Sequence, residues 1–247
     1  MINISTKEDF FKCLRNELVP ENPQTTYGLE GFLEYRKNDN KRHPDSMYFQ
    51  YNKNEHRYEG ESITAKLFKK IYGKVEISSD TIFNCWSYFS MFARGRLNKP
   101  YVNEKEALTR LDYIFEGYEE LRQLFNELAD LHHSIANFMP APCGYNGSSS
   151  HDGKGTYDRD NDMPDIYYAR SKIDFPYMHK WINENMKIYC LYFFEEYKSP
   201  WIDGEANRAI NLRNRMEIQS FTKSIKDAIT CIKKRAENLV DLNRNKY

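Results

Sequence analysis

The sequence has no long apolar run. A membrane-spanning helix needs about 18 consecutive apolar residues, and no such stretch occurs in this chain. The first nine residues, Met1–Asp9, contain no apolar core of the kind found in signal peptides. We therefore expect a soluble cytosolic protein that does not bind membranes.

Cysteine is scarce and shows no regular spacing. The five cysteines are odd in number, and no Cys-x-x-Cys pair occurs. Disulfide scaffolds and cysteine-based zinc sites depend on evenly numbered or closely spaced cysteines. We expect free thiols in a reducing compartment at these positions, which are Cys13, Cys85, Cys143, Cys190 and Cys231.

Two catalytic motifs and one nucleotide motif are also missing. The sequence contains neither the Gly-x-Ser-x-Gly element of hydrolases nor the Arg-x-x-x-x-His element of HEPN ribonucleases. The stretch Gly147–Thr156 resembles a phosphate loop, but one residue too many separates its glycines. Gly155 also stands where that loop needs a magnesium-binding Ser or Thr. A flexible polar loop is the better interpretation.

What the sequence does contain is enough aromatic surface for a sizeable core. Apolar residues make up 40% of the 247 residues and aromatic residues 15%. Large rings can fill a core that is modest in aliphatic side chains. The length suits one large domain, and we see no repeat and no linker, so we predict a single domain over 1–247.

Apolar residues recur every three to four positions in several segments, which predicts helices. The fold class that we expect is mainly α, a helical domain with long core helices and a small two- or three-strand β element between 47 and 77. The predicted core helices are 104–131, in which Gly117 could introduce a break, 177–197 and 207–242. Shorter helices are predicted from the Ser5 capping box to Pro20, over 63–72, and over 79–94.

Charge is segregated although the whole chain is neutral. Residues 103–131 hold eight acidic and three basic side chains, whereas residues 207–247 hold four acidic and ten basic ones. An internal pairing of the two helices is the favoured interpretation. Nucleic acid, bound through the basic C-terminal helix, is the alternative partner.

A long stretch rich in Gly, Pro, Ser, Asn and Asp follows the acidic helix. Loops of this length in compact domains are usually functional or disordered, so we predict that 132–172 forms the working surface. His132 and His133 lie at the helix end, where the helix dipole stabilises a protonated ring. They are candidates for a catalytic base or ligand, with Asn137 as an orienting amide. The alternative is a helix end whose histidines pair with carbonyl groups.

The loop also offers carboxylates and other polar groups. Asp158, Asp160 and Asp162 alternate as in a calcium loop, but Met163 and Ala169 replace the required Gly and Glu and exclude an EF-hand. A looser site for a divalent metal ion, Mg²⁺ or Ca²⁺, and a solvated acidic loop both remain open. The candidate ligand-binding residues of the same stretch are Asn146, Asp165, Arg170 and Lys172.

The segment His133–Pro140 resembles a His/Tyr-Thr-Ile-Gly-x-x-Met-x-x-Pro segment of an uncharacterised family of bacterial cytosolic proteins. Ala136 replaces the usual Gly. Tyr145–Gly147 and Asp162–Tyr168 correspond to the Asn/Gly-rich loop and the Asp-aromatic element that follow in that family. The resemblance implies a cytosolic location and no established activity.

Two looser patterns are similar to those of nucleases. Ile135, Asn137 and Asn146 take the places of the Ile-Gly-Asn segment in HNH-type modification-dependent restriction nucleases. His43 is the nearest candidate for their upstream metal-binding element. Restriction-type nucleases also carry a spaced Pro-Asp…Glu-x-Lys pattern, which 164–165 and 196–198 match, and their Glu and Lys lie together on a central strand.

Two functions follow from these candidates. The favoured one is a binding or accessory protein that uses 132–172, with a link to phage defence or mobile elements. The alternative is a metal-dependent nuclease in which His132, His133 and Asn137 act with the loop aspartates. We favour binding because no complete catalytic set can be assembled from the sequence.

Overall fold

Helices account for most of the residues that the structure describes, and the predicted fold class, mainly α with a small β element, is confirmed. The structure is a computed structural model that describes residues 4–18, 27–38, 48–52, 57–61, 63–74, 78–142, 163–174, 176–199 and 209–244. None of the helices in these ranges is long and apolar enough to span a membrane. In chain order the helices are α1 Lys7–Leu18, α2 Gly28–Lys37, α3 Ile63–Tyr72, α4 Cys85–Leu97, α5 Glu104–Thr109, α6 Leu111–Phe115, α7 Glu119–His132, α8 Pro164–Asp174, α9 Pro176–Asn185, α10 Phe193–Glu196 and α11 Arg215–Arg244.

Two antiparallel strand pairs lie within the described ranges. β1, Tyr48–Asn52, pairs with β2, Arg57–Glu61, and this hairpin is the β element expected between 47 and 77. β3, Ser78–Thr81, pairs with β4, Phe138–Ala141, over a long sequence separation. The second pair was not predicted, because β4 lies in the segment interpreted as the polar exit from a helix.

The pairing of β3 explains a wrong prediction at the start of α4. We expected Ser79 to cap a helix, but Ser79 is in β3, opposite Pro140. The helix begins at Cys85, and the side chain of Asn84 accepts a hydrogen bond from the Trp86 amide. Ser79 and Asn84 are both good helix caps. The helix begins after Asn84 because Ser79 pairs with the distant strand β4.

The predicted helix 104–131 is wrong as a single element, because it is divided into α5, α6 and α7. Gly117, suspected as a break, adopts a φ of +76° between α6 and α7. Glycine reaches this left-handed region without the steric cost that other residues meet. The division lets α6 and α7 turn their apolar faces towards the same core.

The predicted helix 177–197 is also divided, so that prediction is wrong over its middle part. α9 ends at Asn185, and α10 covers only 193–196. Between them Cys190 has a φ of +53°, which no α-helix can contain. The last predicted helix is confirmed with shifted ends, because α11 begins at 215, where the Asn214 side chain accepts from the amides of Met216 and Glu217.

Aromatic rings join the helices at the centre. Rings from α4, α6, α7 and α11 lie within 5.5–6.2 Å of one another, centroid to centroid. Such edge, tilted and stacked contacts add to the stabilisation from burial. The aromatic residues therefore fill the core, as the composition predicts; those in this cluster are Phe89, Phe92, Phe115, Phe125 and Phe221.

The acidic and basic helices pack against each other. α7 contacts α11, and Lys226 and Lys233 of α11 form ion pairs with Glu120 and Glu127 of α7. The favoured internal pairing of the two charged helices is therefore confirmed. Binding of nucleic acid by α11 stays a prediction.

Candidate functional site

The two candidate histidines lie inside the protein. Only 5% of His132 and 4% of His133 is exposed. The Nδ1 atom of His132 accepts a hydrogen bond from the Cys85 amide at 3.3 Å, and Nδ1 of His133 lies 3.2 Å from the hydroxyl of Tyr27. The Phe32 ring packs on both imidazoles. The pair therefore connects α7 to α2 and α4, and its catalytic role stays a prediction.

Asn137 is fully buried in the short 3-10 turn Ile135–Asn137. Its Oδ1 accepts from the Phe83 amide at 2.9 Å, and its Nδ2 donates to the carbonyls of Phe83 and His132 at 2.9 and 3.1 Å. These three bonds satisfy backbone groups that would otherwise be buried without partners. The amide does orient its surroundings, but the groups that it holds are backbone atoms.

Arg235 of α11 is the main residue of this region that the sequence analysis missed. Only 2% of it is exposed, and Nη1 donates to the carbonyls of Ile135, Ala136 and Phe138 at 2.8–2.9 Å. Nε and Nη2 donate to the Tyr189 carbonyl. No carboxylate among the described residues pairs with this guanidinium. Carbonyl dipoles from the turn before β4 therefore offset its charge.

Nη2 of Arg235 also donates to the hydroxyl of Tyr72, at 2.8 Å. Burial raises the pKa of Tyr72 to about 12, so the phenol stays neutral while it accepts this bond. A signal for Arg235 was present in the sequence. The position lies on the apolar face of α11, at helical spacing from Ile232 and Leu239.

An open pocket of about 300 Å³ lies between the start of α2 and α7. The volume is near the lower end of the range for small-molecule sites. Three of its lining residues, Arg122, Asn126 and Asp130, follow one another at four-residue spacing along α7, so they form one row. The other lining residues are Tyr27, Gly28, Leu29, Glu30, Leu111 and Phe115.

Side chains of α7 satisfy the first amides of α2. Oδ1 of Asp130 accepts from the amides of Tyr27 and Gly28 at 2.8 and 3.2 Å, and Oδ1 of Asn126 accepts from the Leu29 amide at 3.0 Å. These amides have no partner within their own helix. Gly28 has a φ of +59°, and a Cβ there would lie 2.9 Å from Oδ1 of Asn126. Glycine is therefore required where α2 meets α7.

The wall of the pocket continues into the interior. Asp130 forms an ion pair with Arg15 of α1 at 3.6 Å, and the Arg15 guanidinium lies over the Tyr27 ring. Burial raises the pKa of Tyr27, so its hydroxyl remains protonated beside His133. Tyr27 thus contacts the pocket on one side and the histidine pair on the other.

The remaining candidates fall into two groups. Asn146, Asp158, Asp160 and Asp162 lie outside the described residues. The other three are on α8, where Arg170 and Lys172 are exposed. The third, Asp165, accepts a hydrogen bond from the Ser199 amide at 2.7 Å.

Burial raises the pKa of the Asp165 carboxyl, and its Oδ1 is buried without a hydrogen bond among the described residues. Its bond to Ser199 links α8 to the segment after α10. The bond from Cys85 to His132 links α7 to α4 instead. The candidates at the end of α7 and the candidates on α8 are therefore held by different elements.

The described part of the chain gives no support for a metal site. No group of three or more His, Cys, Asp or Glu side chains could hold a metal ion in these ranges. The Pro-Asp…Glu-x-Lys interpretation fails because Glu196 ends the helix α10, not a central strand, and forms an ion pair with Lys234.

Fold and site together define an α-helical protein with a buried polar centre and a small open pocket beside it. Comparisons with family models, with curated proteins and with solved structures found no match to this chain. The function is therefore inferred from the geometry of the site.

Proposed function

We propose that this chain is a binding protein and that the pocket between α2 and α7 is its ligand site. One observation carries the proposal: Tyr27 and Asp130 line the pocket, and the Tyr27 amide donates to the Asp130 carboxylate. Behind the pocket, His133 lies against the Tyr27 hydroxyl and Arg15 forms an ion pair with Asp130. A wall fixed in this way presents its polar groups in one arrangement, and such preorganisation favours binding.

The histidine pair supports this wall. A general base must come within hydrogen-bond distance of its substrate. His132 and His133 are almost completely buried, and both Nδ1 atoms lie against groups of the protein itself. Their hydrogen bonds suit a role in holding α2, α4 and α7 together. No observation favours the nuclease alternative, whose aspartates lie outside the described residues.

The experiment that tests the proposal fills the pocket with a large side chain. Glu30 is exposed and lines the pocket, so Glu30→Trp should obstruct it. Gln123→Trp is the matched control, because Gln123 is an exposed residue of α7 that does not line the pocket. Wild type and both variants are screened by thermal shift against one library of small polar metabolites.

A ligand that binds only the folded state raises its stability by about 2.7 kcal/mol at a hundred times its Kd. We expect such ligands to raise the melting temperature of the wild type and of Gln123→Trp but not of Glu30→Trp. Equal shifts in all three proteins, or no shift with any compound at millimolar concentration, would contradict the proposal. Cleavage of DNA or RNA by the wild type that EDTA abolishes would favour the nuclease instead.

A further inference from the structure

We infer that the ligand of the pocket between α2 and α7 is a small linear zwitterion, with an ammonium group at one end and a carboxylate at the other. The inference rests on the proposed function and names its ligand class. It comes from the order of three side chains along α7, a cation at Arg122, an amide at Asn126 and an anion at Asp130.

The spacing of this row limits the length of the ligand. Eight residues separate Arg122 from Asp130, which places their Cα atoms about 12 Å apart at 1.5 Å per residue. Side chains of one helix lean in the same direction, towards its N-terminus, so the two charges are also separated by roughly 12 Å. A hydrogen bond of about 3 Å at each end leaves about 6 Å for the ligand. A ligand that meets both charges therefore needs a spacer of about four to six bonds, since each extended carbon–carbon bond spans about 1.3 Å.

The cationic end has free donors. Nη1 of Arg122 donates to Oδ1 of Asp112 at 2.9 Å. Its other N–H groups have no hydrogen-bond partner in the described ranges, and 42% of the side chain is exposed. A guanidinium binds a carboxylate through two parallel N–H groups, which gives both affinity and orientation.

The anionic end keeps one acceptor atom available, because the ion pair of Asp130 with Arg15 uses Oδ1. Oδ1 of Asp130 takes the two amides of α2, whereas Oδ2 accepts no hydrogen bond from any residue that the structure describes. Glu30 also lines this pocket and brings a second carboxylate to it. An ammonium group has three donors and no acceptor, so these two carboxylates suit it and would repel a second carboxylate.

The apolar residues of the lining suit an uncharged spacer. Leu111 and Phe115 contribute the apolar surface of the pocket. A volume of about 300 Å³ is sufficient for an ω-amino acid or a short peptide. The carboxylates of the lining disfavour a ligand with several phosphates. The two ends fix the direction of the ligand, because reversal would place like charges together.

The test compares three probes that share one six-carbon chain: 6-aminohexanoate, n-hexylamine and hexanoate. Binding to the full chain is measured by isothermal titration calorimetry at low salt. We expect 6-aminohexanoate to bind about tenfold more tightly than either singly charged probe, since each added charge-assisted hydrogen-bond pair contributes about one factor of ten.

Two variants test which residue binds each end of the ligand. Arg122→Gln should lower the affinity for 6-aminohexanoate to that for n-hexylamine, and Glu30→Gln should lower it by a smaller factor. Arg213→Gln is the matched control, because Arg213 is exposed and does not line the pocket. Circular dichroism verifies that all variants fold.

The outcomes separate the inference from the proposed function. Equal affinity for n-hexylamine and 6-aminohexanoate, or tightest binding of hexanoate, overturns the zwitterion. The absence of binding by all three probes also overturns it, while another compound that shifts the wild type but not Glu30→Trp leaves the proposed function standing. Loss of binding in Arg213→Gln as large as in Arg122→Gln would place the site elsewhere and overturn both.

Discussion

The helix α11 holds cations in two different surroundings. Arg235 points into the core and donates every hydrogen bond described for it to uncharged oxygens. Lys226 and Lys233 point outward, and each pairs with a carboxylate of α7 while about half of the side chain remains in water. The formal charges are equal, and the lysines even have the better-matched partners.

The comparison shows that access to water decides how much a charge matters to the fold. Exposed ion pairs contribute between about 0 and 1 kcal/mol, because water already solvates both groups. A buried cation cannot be left without partners, since the cost of burying an unmet charge is several kcal/mol. Arg235 therefore fixes the position of the carbonyls of Ile135, Ala136 and Phe138. The two lysines adjust to α7.

The largest effect is expected at Arg235. Arg235→Met should lower the free energy of unfolding by about 3–5 kcal/mol, because the acceptors that it leaves are buried. Arg235→Lys should lose nearly as much, since an ammonium cannot reach all of these carbonyls from one position. Urea denaturation monitored by circular dichroism measures both. A loss below about 1 kcal/mol in Arg235→Met would remove the distinction between the buried and exposed cations.

A second substitution tests Asn137, an uncharged buried side chain in the same turn that Arg235 contacts. Asn137→Ala should lower the free energy of unfolding by about 2–4 kcal/mol, because the amide and carbonyl of Phe83 and the carbonyl of His132 lose their partner. Asn126→Ala is the control, since it removes one hydrogen bond at an exposed site. Equal losses in the two variants would show that burial is not the deciding factor.

Asp165 extends the comparison to a half-buried carboxylate. Its contribution to the stability of the folded protein should depend on pH. Because burial raises its pKa in the folded protein, the folded state retains the proton to higher pH than the unfolded chain. Stability should then fall as the pH rises from the ordinary value of about 3.9 through the raised one. Asp165→Asn keeps an acceptor for the Ser199 amide and lacks this fall.

The melting temperature of Asp165→Asn relative to the wild type should therefore increase between pH 3.5 and pH 7. The change should be smaller than either effect above, since part of the carboxyl is solvated. Parallel melting profiles for the two proteins across this range would contradict a raised pKa.

The smallest effect is expected for the exposed lysines. The double variant Lys226→Gln and Lys233→Gln should change the free energy of unfolding by at most about 1 kcal/mol at low salt. This difference should vanish in 1 M NaCl, where the Debye length is about 3 Å. A loss that persists in high salt would indicate that the ion pairs between α7 and α11 act as buried ones.

The sequence predicts best those features that depend on neighbouring residues. The helix α3 begins and ends where its caps and apolar spacing indicate, at 63–72. The opposite charges of 103–131 and 207–247 anticipated the contact between α7 and α11, because the charge of an amphipathic helix face is visible in the sequence alone. A small β element between 47 and 77 was also expected, and β1 and β2 lie in this range.

Features that depend on distant residues were missed. β4 has no polar alternation of its own, since all four of its residues are buried, and it exists because β3 lies beside it. Cys190 has a left-handed backbone conformation within a segment that local propensity would make helical. The pocket was missed because Arg122, Asn126 and Asp130 line a cavity only when α2 packs against α7.

The start of α2 has a consequence for the order in which the protein folds. An isolated helix of ten residues is marginal in water, and α2 has no capping side chain of its own at Tyr27. The groups that receive its first amides belong to α7, a helix that carries its own acidic first turn. We therefore expect α2 to become stable only when α7 is in place. The folding of α2 then depends on the earlier formation of α7. Hydrogen exchange should show that α2 folds late and opens easily.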